Sequence, residues 1–174
     1  MEEVLYLQFR GMPDSVFIIS FLILSIMVVM VFMLRRDNRA IRRTVFSMML
    51  VEYVFLMFCS TVICRDSHPE LERVELMPFW NYRDVLTSGK PSRNWEVILN
   101  IILYAPIGFL WRGLNKRFLP TLFMCIGLSL VTEILQLVMH RGLCETDDVI
   151  HNTLGGVIGY FSFVGVIKGI KIYQ

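Results

Sequence analysis

The chain carries little charge. Only 18% of its 174 residues are Asp, Glu, Lys or Arg, where a soluble domain carries about a quarter. Seventeen basic and fifteen acidic residues leave a net charge of +2. With no basic stripe interleaved with aromatics, that balance excludes a strongly basic nucleic-acid binder. The four cysteines, Cys59, Cys64, Cys125 and Cys144, form no CxxC pair and have no histidine at zinc spacing, so nothing points to a zinc site. Cys59 and Cys125 lie in apolar runs and read as small hydrophobes. Cys64 and Cys144 share one side of the expected topology, but no disulfide between them is expected. Also missing are an HExxH motif, a nucleophile elbow and any recognisable phosphatase motif. No metal, cofactor or catalytic residue is therefore assigned.

Apolar sequence is what the chain has in quantity. It is 55% hydrophobic with a mean hydropathy of +0.58. Val16–Leu34 gives nineteen residues without a charge, enough to cross about 30 Å of hydrocarbon as a helix. A transmembrane helix is expected here and not a signal peptide, because no basic region precedes it, the run is too long, and Arg35-Arg36 follow without a small-residue cleavage site. Further spans are expected at Thr44–Ile63, Trp95–Leu110, Leu119–Met139 and Val149–Ile167. Pro106 removes a backbone donor and crowds the carbonyl of Ile102, so a kink or break is expected in the third span. The expectation is an all-α, multi-pass protein of the plasma membrane with about five transmembrane helices. Residues 1–73 would hold two spans and residues 74–174 a three-span core.

Loop charge orients these spans. Segments 35–43, 111–118 and 168–174 hold ten basic residues in 24 positions, against seven in the 55 positions of segments 1–15, 64–94 and 140–148. The denser set belongs in the cytoplasm, which places the N-terminus outside and the C-terminus inside. The run Leu76-Met77-Pro78-Phe79-Trp80-Asn81-Tyr82 is then an outer loop, and its aromatics suit the membrane interface.

Polar residues gather beneath that outer surface. Glu133 and Gln136 lie in the outer half of the fourth span, Asn100 about five residues into the third, and Asn152 about one turn into the fifth. At 100° per residue, Ser129, Thr132, Glu133, Gln136 and His140 form one stripe, and Asp148, Asn152, Gly155 and Gly159 another. Asn100 and Tyr104 give the third span a similar face. Gly155 and Gly159 form a GxxxG pair that admits a close backbone neighbour, so the Asn152 stripe can sit against the Glu133 stripe. Between the last two spans, His140–Asp148 holds Arg141, Glu145, Asp147 and Asp148. Two readings stand side by side. Asn100, Gln136 and Asn152 serve either as interhelical hydrogen-bond partners or as ligand contacts. Glu133 and Arg141 form either a structural ion pair or part of a binding site. Glu52 stands alone at mid-depth of the second span.

Several motifs resemble the VanZ-like family, whose founding member is associated with teicoplanin resistance. Asn100, Pro106 and Gly108 meet a third-span N-x(5)-P-x-G, and Glu133 and Gln136 a fourth-span E-x-x-Q. Arg141, Gly142, Glu145, Asp147, Asp148, Asn152, Thr153, Gly155 and Gly156 meet R-G-x-x-acidic-x-D-D-x-x-x-N-T-x-G-G. Leu76, Pro78 and Phe79 meet L-x-P-F. The resemblance covers residues 74–160 and departs at Cys144, where relatives commonly carry an aromatic. It implies a non-enzymatic envelope protein that lowers susceptibility to glycopeptide or lipoglycopeptide antibiotics. The expected binding residues are Asn100, Glu133, Gln136, Arg141, Asp147, Asp148 and Asn152, and the expected structural residues are Pro106, Gly108, Gly155, Gly156 and Gly159. Arg141 would pair with phosphate and the acidic residues with a cationic group or metal. Partners would be the bilayer and a lipid-linked cell-wall precursor or the antibiotic. The alternatives are a membrane enzyme or a translocase acting on a lipid-linked or polyprenyl substrate.

Overall fold

An apolar segment inside a bilayer must satisfy its own backbone N–H and C=O groups, and this chain does so with long helices. The structure is a computed structural model that describes residues 38–65, 74–79, 82–83, 92–114 and 117–172. The span expected at Val16–Leu34 lies outside the described residues, as do Trp80 and Asn81. Four helices follow in order: α1 (Asn38–Phe58), α2 (Ser92–Gly113), α3 (Phe118–Val138) and α4 (Thr146–Ile172). A π turn, Cys59–Ile63, extends α1. Two short strands, β1 (Val74–Glu75) and β2 (Cys144–Glu145), pair in parallel, with Val74 opposite Cys144 and Glu75 opposite Glu145. The segments Arg39–Ile63, Glu96–Gly113, Phe118–Val138 and Thr146–Gly169 are long and apolar enough to cross a membrane.

Three boundaries differ from expectation. Helix α1 already includes Asn38–Arg43, ahead of the expected Thr44, because arginine is a good helix former whose long stem lets the charge reach water. Helix α2 runs through Pro106 from Ser92 to Gly113 without ending, since losing one backbone bond does not terminate a well-packed helix. Helix α4 starts at Thr146, which puts Asp147 and Asp148 in its first turn. Carboxylates are favoured there by the unpaired N–H groups and the helix dipole.

Packing of α2 against α4 relies on missing side chains. A Cβ on Gly155 would lie 2.2 Å from the carbonyl oxygen of Ile101, and one on Gly159 would lie 1.8 Å from that of Ala105. Matching Ile101 with Gly155 and Ala105 with Gly159 makes the two helices parallel. The GxxxG face therefore abuts α2, not the Glu133 helix, because Ala105 and Gly108 leave room there. Gly156 is close-packed on two sides: its carbonyl oxygen lies 1.8 Å from where a Cβ on Gly108 would sit, and a Cβ on Gly156 would meet Cys125 Sγ of α3 at 2.3 Å. Between helices in lipid, such close van der Waals packing replaces the hydrophobic drive available in water.

Helices α1 and α2 run antiparallel: Tyr53 Oη donates to the Leu103 carbonyl at 2.8 Å, and Phe46 lies against Gly113. Helices α3 and α4 do likewise, with Ser129 against Asn152 and Phe118 against Tyr160. An apolar core of Leu50, Met57, Tyr104, Ile107, Leu110 and Cys125 fills the centre. Alternation places Arg39, Arg42, Arg43, Arg112, Arg117 and Lys168 at one end of the bundle. Arg112 lies over the Tyr160 ring there, 5.4 Å from its centroid. The opposite end carries β1, β2 and the polar residues. All four cysteines are free thiols.

Candidate functional site

The site begins with an irregular helix end. In the π turn closing α1, the Cys64 N–H donates to the Cys59 carbonyl five residues back, at 2.8 Å. Carbonyls at a helix end have no partner within the helix, and here the α3–α4 hairpin supplies donors. Gln136 Nε2 donates to the Thr61 carbonyl at 3.0 Å. Arg141 Nη1 donates to the Val62 carbonyl at 3.0 Å and also to that of Ile63. A cation near a helix C-terminus is further favoured by the dipole. Arg141 therefore caps α1, and its recorded bonds run to backbone carbonyls, not to Glu133.

Helix α3 ends in a Schellman motif. The Arg141 N–H donates to the Gln136 carbonyl at 2.8 Å and the His140 N–H to that of Leu137 at 3.1 Å. His140 takes the left-handed position, with φ of 54°, where glycine is usual. This turn aims the chain back toward α1 and sets Arg141 beside the carbonyls it caps.

Glu133 meets the hairpin instead of the arginine. Its Oε2 accepts the Glu145 N–H at 3.0 Å, and Glu133 is buried, 3% exposed. From the first turn of α4, Asp148 Oδ1 accepts from Asn100 Nδ2 of α2 at 2.7 Å. One turn deeper, Asn152 Nδ2 donates to Ser129 Oγ of α3 at 2.9 Å, and Tyr104 Oη lies 3.2 Å from Thr132 Oγ1.

These groups surround a cavity of about 240 Å³ lined by α2, α3, α4, the hairpin between the last two and the π turn after α1. Asn100, Glu133, Gln136, Arg141, Asp148 and Asn152 line it, so six of the seven expected binding residues share one space. Asp147, 2% exposed, is not among the lining residues. Its Oδ1 accepts the Phe79 N–H from the segment before α2. Phe79 holds a φ of 64°, uncommon for a bulky residue, and the bond to Asp147 helps hold it there. Tyr82 Oη lies 2.9 Å from Nε2 of the buried His151. The polar segment before α2 is thus clamped onto the hairpin at three places: the β1–β2 pair, Phe79 with Asp147, and Tyr82 with His151. Its apolar side chains stay outside, with Leu76 70% and Phe79 61% exposed.

Sequence reasoning did not name Thr61, Arg65 and Glu96, which also line the cavity. A charged residue directly after a span, as Arg65 follows Cys64, was the available signal for one of them. Arg65 lies near Gly142, where a Cβ would sit 3.2 Å from its Nη1. Among the described residues, no three His, Cys, Asp or Glu side chains converge in a way that would hold a metal ion. Glu52 is placed away from the cavity, and its Oε1 is buried without a hydrogen-bond partner.

The carboxylates push one neighbouring thiol. Burial first, then the charges of Glu133, Asp148 and Glu145, raises the pKa of half-buried Cys144 above its ordinary value.

Fold and site together define an all-helical membrane protein with a polar cavity at one end of the bundle. Residues 17–168 match the VanZ/LLP1 family, and the chain belongs to it. Protein VanZ of Enterococcus faecium is 39% identical over 66 residues, a match covering 37% of this chain and 41% of that protein. The chain thus aligns with about two fifths of the curated relative's length. No solved structure matches.

Proposed function

We propose that this VanZ-family protein lies in the plasma membrane with its cavity facing outward, and that it lowers susceptibility to glycopeptide and lipoglycopeptide antibiotics. The observation carrying this reading is the cavity's place at the end of the bundle opposite Arg39, Arg42, Arg43, Arg112 and Arg117. Basic residues favour the cytoplasmic side, so the cavity falls on the side where lipid-linked cell-wall precursors are displayed. With Val16–Leu34 as a fifth span, the N-terminus is outside and the C-terminus inside. The exposed Leu76, Met77 and Phe79 then lie at the outer interface beside the cavity mouth. There the protein meets the headgroups of a lipid-linked precursor or the lipid tail of an antibiotic.

A susceptible strain expressing the wild-type chain should tolerate more teicoplanin than its parent. Glu133→Ala and Asp148→Ala, matched for membrane abundance by immunoblot, should return it to the parental level. Two variants that protect as well as wild type would remove the cavity from the function.

A further inference from the structure

The cavity's amide donors are turned into its walls. Asn100 Nδ2 donates to Asp148 Oδ1, Gln136 Nε2 to the Thr61 carbonyl and Asn152 Nδ2 to Ser129 Oγ. Arg141 Nη1 is held by the end of α1. One buried acceptor remains. Asn152 is 4% exposed and lines the cavity, and its Oδ1 is buried without a hydrogen-bond partner. Leaving such an acceptor unsatisfied costs about 1–3 kcal/mol in general, so a donor from outside is the natural complement. Glu133 and Asp148 add carboxyl oxygens from α3 and α4.

We infer that the cavity receives the primary ammonium group of an amphiphile. Three N–H bonds on one compact cation answer the Asn152 carbonyl and the two carboxylates together. A quaternary ammonium brings the charge without the donors, and inorganic phosphate brings no ammonium for the acceptors inside the cavity. Arg65, exposed at the rim, supplies the countercharge for a phosphate or carboxylate borne by the same molecule. The volume of about 240 Å³ lies below the roughly 300–1,000 Å³ of pockets for drug-sized ligands, so it fits a headgroup and not a whole antibiotic. This inference rests on the reading of the cavity as the working site.

The test uses the full chain in nanodiscs of phosphatidylcholine and phosphatidylglycerol, titrated calorimetrically with phosphoethanolamine, phosphocholine and inorganic phosphate. Phosphoethanolamine should bind at least about tenfold more tightly than phosphocholine, the loss expected for missing charge-assisted hydrogen bonds. Inorganic phosphate should not bind measurably. Asp148→Asn and Asn152→Leu, each checked for an unchanged melting profile, should weaken phosphoethanolamine by a similar factor. Replacing phosphatidylcholine by phosphatidylethanolamine distinguishes the sources. Suppressed binding of the soluble probe identifies the membrane headgroup, and retained binding identifies a different amine, both in keeping with an ammonium site. Equal binding of phosphoethanolamine and phosphocholine, or no binding of either to the wild-type chain, would overturn it. Protection against teicoplanin that persists without ammonium binding would leave the proposed function standing and remove only this ligand. Ammonium binding in a strain with no teicoplanin protection would do the opposite.

Discussion

Asn100 donates to Asp148 across 2.7 Å, joining α2 and α4 at the end where their glycine-lined contact stops. Asp147, the preceding residue, accepts from Phe79 instead. Two adjacent carboxylates in one helical turn therefore serve different surfaces: one faces the cavity and the other fastens the loop above it.

This pair should be energetically coupled. Asn100→Ala and Asp148→Ala, alone and combined, should be less than additive in unfolding free energy by about 1 kcal/mol, the scale of interhelical hydrogen bonds in lipid. Strict additivity in a reversible unfolding titration would mean that the bond contributes nothing.

Glycine positions should divide sharply. Gly159→Ala places a methyl group 1.8 Å from the Ala105 carbonyl oxygen and should cost upwards of about 2 kcal/mol through forced separation of α2 and α4. Gly127→Ala meets nothing within 4 Å and should be neutral or stabilising by up to ~1 kcal/mol. Similar melting temperatures for the two variants would contradict the close contact.

Arg141 Nη1 is bonded to carbonyls at the end of α1. Arg141→Gln should lower stability by about 1–3 kcal/mol, the range for a charge-assisted hydrogen bond and its unpaired acceptor. It should also speed proteolysis after Cys64. A variant with wild-type stability and lost ligand binding would return Arg141 to the role of ligand contact.

Cys144 gives a pH signature. Its raised pKa means that the folded chain holds the thiol proton more tightly than the unfolded chain does. The associated stability is full below the ordinary thiol value of about 8.5 and is lost as pH rises through the higher folded value. With Cys144 as the sole cysteine, maleimide labelling at pH 7.5 should be slower folded than unfolded, and Glu145→Gln should accelerate it. Equal rates in the two states would rule the shift out.

Orientation is open to a direct measurement. A reporter active only outside the cytoplasm should be silent when fused after Gln174 and active when inserted at Ser88. The reverse pattern would place the cavity on the cytoplasmic side and remove the basis for the proposed function.

Much of the bundle was legible in the sequence because hydrophobic length and helical period dictate spans and faces directly. The Glu133–Gln136 stripe, Asn100 and Asn152 meet around one cavity as that period requires. Partner choice was less legible. Gly155 and Gly159 announce a close neighbour, but only the three-dimensional arrangement says that it is α2. Arg141 was expected beside an acidic group or a phosphate, yet its recorded partners are backbone carbonyls, which every residue possesses and no motif marks. The clamp of Val74-Glu75 on Cys144-Glu145 left no trace for the same reason: two-residue strands have no periodicity to read. The helical period set Asp148, and not Asp147, on the Asn152 stripe, but nothing in the sequence marked Asp147 as the partner of Phe79.

The strand pair also dictates an order of events during synthesis. Val74 and Glu75 leave the ribosome long before Cys144 and Glu145, their partners in the pair. Contacts so distant along the chain close late, because the intervening loop entropy must be overcome first. Until the last helix is inserted, the loop before α2 has nothing to grip, and Asp148 and Asn152 are missing from the cavity wall. A chain stalled or cut before residue 144 would therefore reach the bilayer without the partners of β1 and Phe79, a form that a membrane protease can distinguish from the finished protein.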